Sequence, residues 1–335
     1  MNRPSIEIFG TDPNGEPVHI VRLQNGGSQA AIMSWGASLQ DYTVRDWEVS
    51  VVLGSQDFKT YLGPLVHCGA IVGRVANRIA HGRASLNGKM LELDRNEKGK
   101  TCLHGGGGGT SLRNWTIVEA HKTQTVLAIS LADGEDGFPG KLEILATYSL
   151  DDVGALCLNL RATSDALTFC NLAHHGYWSF APEDGLRGHH LSLSADSYLP
   201  VDDDLIPLGA PADVEGTRFD FRTRRALKRH GDALLDHNFC LREAEGMRRV
   251  GRMDYGPMRL DVETDALGLQ VYEGAHLNTA QAATHAGVAY GSNAGLAIEP
   301  QAWPDAPNHP GYPDTRLKPG ETYRQVSRFH AYARS

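Results

Sequence analysis

Short runs in which apolar and polar residues alternate, each run closed by glycine, restrict this chain to β-sheet. The 37 glycines fall mostly between such runs. Alternation with a period of two puts one face of a strand in a core and the other toward water. Residues 84–93 place two such arms on either side of Asn87-Gly88, a pair that can take the positive φ angles of a tight hairpin turn. Leu142, Ile144, Ala146, Tyr148 and Leu150 line one face of a predicted strand. Leu156, Leu158 and Leu160 line the next, with Cys157, Asn159 and Arg161 opposite, and Asp152 to Gly154 form the turn between them. The pattern returns at Leu191–Ser194, Met258–Val262 and Leu269–Tyr272. Apolar spacing of three and four is never sustained, although Phe221–Arg229 could form a turn or two of helix. A wound βαβ sheet is therefore disfavoured. The proline-rich stretch Gln301–Pro319 reads as an irregular surface loop. The expectation is one all-β domain over residues 1–335, a large antiparallel β-sandwich with few short helices.

Charge narrows the partners. A net charge of −8 and a pI near 6.0 give no basic face for nucleic acid or an anionic membrane. A neutral small molecule fits better. The five cysteines are odd in number and none are at metal-clip spacing, so a reducing cytoplasm is the simple expectation. The first ten residues have no apolar signal region, and no run of about 18 apolar residues occurs, so neither a signal peptide nor a membrane helix is expected.

The densest group of reactive side chains is Asn171-Leu-Ala-His-His-Gly-Tyr-Trp-Ser-Phe180. On a strand His175 and Tyr177 share a face, and His174 points the other way. Imidazole is the natural proton donor near neutral pH, and the flat rings beside it suit the C–H face of a sugar. A zinc site needs a third ligand at a recognisable spacing, and none is present, so no metal is expected. The pair His189-His190 lacks such neighbours and reads as ordinary structure.

Other stretches are more ambiguous. Gly105–Gly109 is not followed by the Lys-Ser/Thr of a phosphate loop; it reads as a place where backbone passes close to a ligand, with His104 at its edge. Asn77 and Arg78 would point to opposite faces of a strand but to one pocket from a turn, and a solvated surface turn is the plainer alternative. Asp236-His237-Asn238 suits hydroxyl recognition about as well as it suits a turn. Glu299 ends an apolar strand just before Pro300. A carboxylate there must be solvated, paired or functional, and a simple strand-end glutamate remains open.

In combination and in order, these pieces resemble the aldose 1-epimerase (galactose mutarotase) family. The matching stretches are Gly73-Arg-Val-Ala-Asn-Arg-Ile79, Leu103-His-Gly-Gly106, Asn171-Leu-Ala-His-His-Gly-Tyr177, Leu235-Asp-His-Asn-Phe239, Leu269-Gln-Val-Tyr-Glu-Gly274, Ile298-Glu-Pro-Gln301 and Asn308-His-Pro-Gly-Tyr-Pro313. The resemblance implies a supersandwich with a sugar cleft on one sheet. It implies Glu299 as the base, His175 as the acid, and sugar-binding roles for Asn77, Arg78, His104, Asp236 and Gln270, beside Tyr177. This chain departs from the family's pattern with His174 where asparagine is usual, Trp178 where phenylalanine is common, and Pro300 where serine or threonine is more frequent. The departures leave the preferred sugar open.

The expected reaction is interconversion of the α and β anomers of an aldose such as galactose or glucose, by ring opening and reclosure between a carboxylate and an imidazolium on opposite sides of the hemiacetal. No cofactor is needed, and the expected partner is a monosaccharide bound by a monomer or homodimer. A glycoside hydrolase pairing Glu299 with Asp236 is one alternative. A non-catalytic sugar sensor is another. A hexose-6-phosphate 1-epimerase would need a basic cluster, for which Arg222, Arg224, Arg225, Lys228 and Arg229 are candidates, although such runs are usually solvated.

Overall fold

The computed structural model describes residues 6–227, 234–280 and 282–334. Among them the strands pair antiparallel into sheets of nine, six and four strands, with smaller two-stranded ribbons. Helical structure there is limited to 3-10 turns of three to five residues, and no helix is long and apolar enough to cross a membrane. The predicted hairpin forms as Arg83–Leu86 with Lys89–Glu92, turning at Asn87 (φ 50°) and Gly88 (φ 77°).

The nine-stranded sheet holds the two long strands read from the sequence, Leu142–Leu150 and Leu156–Ser164, paired in register from Leu142↔Ser164 to Leu150↔Leu156. The six-stranded sheet runs in the order Tyr177–Trp178, Leu296–Gln301, Gly268–Tyr272, Asp236–Leu241, Ala195–Tyr198 and Ala212–Asp213. One hydrophobic cluster joins the two sheets. Leu142, Ile144, Ala146 and Tyr148 meet Trp178, Phe239, Leu269, Val271, Leu296 and Ile298 in it. Each large apolar side chain buried this way is worth roughly 1.5–3 kcal/mol.

Alternation then dictates what the other face of the six-stranded sheet carries. Tyr177, Asp236, Gln270, Tyr272 and Glu299 are each one residue from a core-facing neighbour and so point away from the sandwich interior. Pro300 is tolerated because Tyr177–Trp178 reaches only Ala297 and Leu296, leaving that side of the strand unpaired within the sheet at position 300.

The structure corrects two expectations. Arg225–Ala226 is not helical; it is a short strand pairing with His190 and Leu191 at the end of the nine-stranded sheet, and Lys228 and Arg229 lie outside the described residues. Gln301–Pro319 is only partly a surface loop. Asp305, Thr315 and Leu317 are buried, and Arg316–Leu317 pairs with Thr168–Phe169. Asp305 earns burial through bonds: its carboxylate accepts from the Ala80 amide at 2.9 Å and the Asn308 amide at 2.7 Å.

His174 faces the sandwich interior, 1% exposed, among the rings of Tyr148, Trp178 and Phe329. Among the described residues neither of its ring nitrogens has a partner. Burial pushes its pKa down to about 3 from 6.5. The unfolded chain therefore takes up the proton first as pH falls. The contribution of His174 to stability is complete above pH 6.5 and declines between there and the lowered folded pKa. His174→Phe should remove one proton from that linkage and flatten the loss of unfolding free energy between pH 6 and 4 by about 1.4 kcal/mol per pH unit. Urea titrations of both proteins across that range measure this, and parallel curves would refute it.

Candidate active site

A cleft of about 500 Å³ opens over the outer face of the six-stranded sheet. Its floor is Glu299, Asp236, Tyr177 and Tyr272 from that sheet, and its walls come from loops carrying His67, Asn77, Arg78, Glu97 and His104, with His175 beside Tyr177. The volume suits a small ligand with polar contacts at fixed points.

Glu299 and His175 meet at the bottom. Glu299 is 2% and His175 is 7% exposed, and His175 Nε2 lies 3.8 Å from Glu299 Oε1. That separation is too long for a hydrogen bond and too short to admit a sugar ring between the groups. The two side chains therefore present their polar atoms side by side to one place in the cleft. Burial, and then the charge of Asp236, raise the Glu299 pKa well above the carboxylate range, while Arg78 acts against this. Burial, then His67, lowers His175 to about 3. Both shifts favour the uncharged forms, a protonated Glu299 and a neutral imidazole.

The surrounding groups are held by backbone and by one another. The Asn77 amide donates to His104 Nδ1 at 3.2 Å, and the His104 amide donates to the Asn77 carbonyl at 2.9 Å. With Nδ1 accepting, the His104 proton sits on Nε2. Asn77 Oδ1 accepts from the Arg78 amide at 2.9 Å. Arg78 makes a two-pronged contact with Glu97, Nε to Oε2 and Nη2 to Oε1, both at 2.8 Å, and Thr101 Oγ1 donates to Glu97 at 2.6 Å. Burial opposes the arginine charge, but Glu97 outweighs it and raises the pKa. The other arginine of the same motif, Arg74, is structural: buried at 1% exposure, it donates to the carbonyls of Ala132, Pro139 and Gly140.

Of the residues singled out from the sequence, Asn77, Arg78, His104, His175, Tyr177, Asp236 and Glu299 converge on the cleft. Gln270 does not line it. Gln270 sits opposite Glu299 in the strand register and donates to Asp236 Oδ1 at 2.6 Å, so it orients a cleft carboxylate from behind. The described arginines of the basic run do not line the cleft. Arg222 pairs with Asp220, Arg224 lies 3.5 Å from Asp254, and Arg225 bonds the Thr217 and Arg218 carbonyls. His67, Glu97, Tyr272 and the Lys100–Asp204 ion pair at 2.8 Å also border the cleft and were not singled out. Tyr272 lies on the predicted strand Leu269–Tyr272, whereas His67, Glu97, Lys100 and Asp204 come from stretches without a periodic signature. Among the described residues no group of three or more His, Cys, Asp or Glu side chains has metal-holding geometry.

A family model described as aldose 1-epimerase matches residues 19–330. The galactose mutarotase of Rattus norvegicus is 36% identical over 334 residues, covering 96% of either chain. The aldose 1-epimerase of Escherichia coli (strain K12) is 34% identical over 340 residues, covering 96% of this chain and 97% of the relative. Among solved structures, an aldose epimerase homologue from C. elegans superposes with a TM-score of 0.88 at 29% identity, covering 94% of this chain and 99% of that one.

The glycine run bears on the site differently from its expected role. Gly105 has φ 88°, and a Cβ there would lie 2.2 Å from the Gly73 carbonyl oxygen and 2.3 Å from the Arg74 nitrogen. At Gly105 the close approach is to backbone, and it seats His104 against Asn77. Gly105→Ala should destabilise the fold by at least about 2 kcal/mol, read by chemical denaturation; an unchanged midpoint would refute this packing.

Proposed function

The chain belongs to the aldose 1-epimerase family and is a mutarotase, an isomerase that interconverts the anomers of an aldose, and from that premise we propose that Glu299 and His175 carry the proton transfers. The observation that carries this reading is the buried Nε2–Oε1 approach of 3.8 Å. Glu299 takes the proton of the C1 hydroxyl while protonated His175 Nε2 gives one to the ring oxygen. The bond between C1 and the ring oxygen breaks and the C1 carbonyl forms. The aldehyde turns about C1–C2, the ring oxygen attacks the other face, and both protons return. Each group thus works as acid in one direction and base in the other.

The single proton of the pair is sufficient for this cycle. With the ring open, Glu299 is protonated and His175 neutral, the forms toward which burial shifts both groups. Donation from the bound C1 hydroxyl to Glu299 and the nearby Arg78 charge favour the carboxylate and shift the proton to His175 at the start. His104 Nε2–H, the Asn77 amide and Arg78 offer donors to ring hydroxyls, and Asp236 accepts from one, which holds the opened chain in place for reclosure. Tyr177 and Tyr272 supply flat apolar surface. The substrate on this reading is an aldose such as galactose or glucose, turned over by a monomer or homodimer in the cytoplasm, where the five free cysteines fit a reducing setting.

Polarimetry of freshly dissolved α-anomers of glucose, galactose, xylose, arabinose and fucose tests the substrate class, and acceleration of none would overturn the reading. Glu299→Gln and His175→Asn should each lower kcat by about 10²–10⁴-fold. The double variant should be little worse than either single one, because both groups serve one step. A Glu299→Gln protein with near-native kcat would remove the base from the scheme.

The pH profile is a separate check. The pair needs one proton, so kcat/KM falls when His175 gains a second and when Glu299 loses the shared one. Since His175 is lowered and Glu299 raised, the acid limb should lie below the 6.5 of an ordinary histidine. An acid limb at or above 6.5 in initial-rate measurements contradicts a buried pair.

A further inference from the structure

Four imidazoles border the cleft, those of His67, His104, His175 and His276, and the family resemblance gives roles to only His104 and His175. His67 has left-handed backbone at φ 66°. Asn77 and His104, both in the site, share that conformation at φ 60° and 52°. Non-glycine residues hold it at a cost, and such positions gather where a fold fixes side chains for function. His67 is tied to the acid through backbone: the Gly69 amide donates to the His175 carbonyl, and the His175 amide donates to the Ala70 carbonyl, both at 2.8 Å. Its ring is set by Ser111 Oγ, 2.8 Å from Nδ1. Ser111 is itself buried and lies two residues beyond the glycine run that seats His104. The His67 ring lies 5.1 Å from that of His104 and 6.5 Å from that of His175. With Nδ1 engaged by Ser111, Nε2 is the ring atom left for a ligand.

Substrate chemistry indicates which atom it meets. This step rests on the reading of His175 as the group facing the ring oxygen. That oxygen is bonded to C1 and to C5. Glu299 holds the C1 hydroxyl, with Asp236 and Arg78 as its electrostatic neighbours. C5 and its substituent therefore lead away from Glu299, toward the side where the imidazoles of His104 and His67 stand. In an aldohexose that substituent is a hydroxymethyl group; in a 6-deoxy sugar it is a methyl, and in a pentose it is hydrogen. We propose that His67 is a specificity-determining residue whose Nε2 hydrogen-bonds the C6 hydroxyl, so that the enzyme favours aldohexoses over their 6-deoxy and pentose counterparts.

The test compares kcat/KM for galactose with that for 6-deoxy-D-galactose, and for glucose with that for xylose, by polarimetry. In the unmodified protein both ratios should favour the hexose. His67→Phe should lower them about tenfold, mainly through the hexose KM, the loss expected for one hydrogen bond. Ser111→Ala should lower them in the same direction by less, because the ring keeps its place but loses its Nδ1 partner. His67→Gln, whose amide can reach the Nε2 position, should recover part of the ratio. If His67→Phe does not fold, His67→Asn tolerates the left-handed backbone, reaches no farther than Nδ1, and should give the same lowered ratio. An unchanged ratio, or an equal loss on both sugars of a pair, overturns the proposal. Failure of the underlying mechanism looks different: His175→Asn would then retain its rate, whereas if that mechanism holds, it loses rate on hexose and deoxy sugar alike.

Discussion

In the strand Leu296–Gln301 the pleat sends Leu296 and Ile298 into the sandwich and Ala297 and Glu299 out of it. The cleft depends on that alternation being continued sideways through the sheet. Tyr177 alternates with Trp178, Asp236 with Leu235, and Gln270 with Leu269 and Val271, so one sheet builds a core on one face and a polar floor on the other. A slip of one residue would bury Glu299 among leucines and expose Ile298. The apolar face is therefore what places the carboxylate.

This explains what could be read in advance. Strand periodicity is local, so Leu142–Leu150, Leu156–Ser164 and the Asn87-Gly88 hairpin are visible in the sequence, as is the opposition of His174 and His175. Glu299 and His175 share short motifs with apolar neighbours that mark their strands. His67, Glu97 and Lys100 belong to loops whose positions are set by contacts with distant chain, such as the Lys100–Asp204 pair, and nothing local encodes them. Gln270 shows a third case. Its strand and its face could be inferred, but whether its amide reached the cleft or Asp236 depended on which neighbour came closer. The glycine run reads as a close approach of backbone to a ligand, and at Gly105 a close approach is seen to the Gly73–Arg74 backbone.

Burial lowers the pKa of both members of the histidine pair to about 3, but their surroundings differ. His175 opens on a cleft where a substrate can supply the hydrogen bonds that protein does not, so its lowered pKa belongs to a working state. His174, one residue earlier, is enclosed by aromatic rings, and among the described residues neither nitrogen has a partner. Its polarity is a cost to the core. Adjacent residues, one ending a strand and one just beyond it, thus carry the same side chain under different physical terms.

The left-handed backbone at His67, Asn77 and His104 also limits how this cleft can change over generations of mutation. At those positions β-branched and bulky apolar side chains are strongly disfavoured, while glycine, asparagine, aspartate and histidine are admitted. The accessible variants at these wall positions are mostly polar and short. A lineage or a library drawn from this scaffold can reshape its hydrogen-bonding pattern there readily, but it can acquire a greasy wall only by rebuilding the loops themselves.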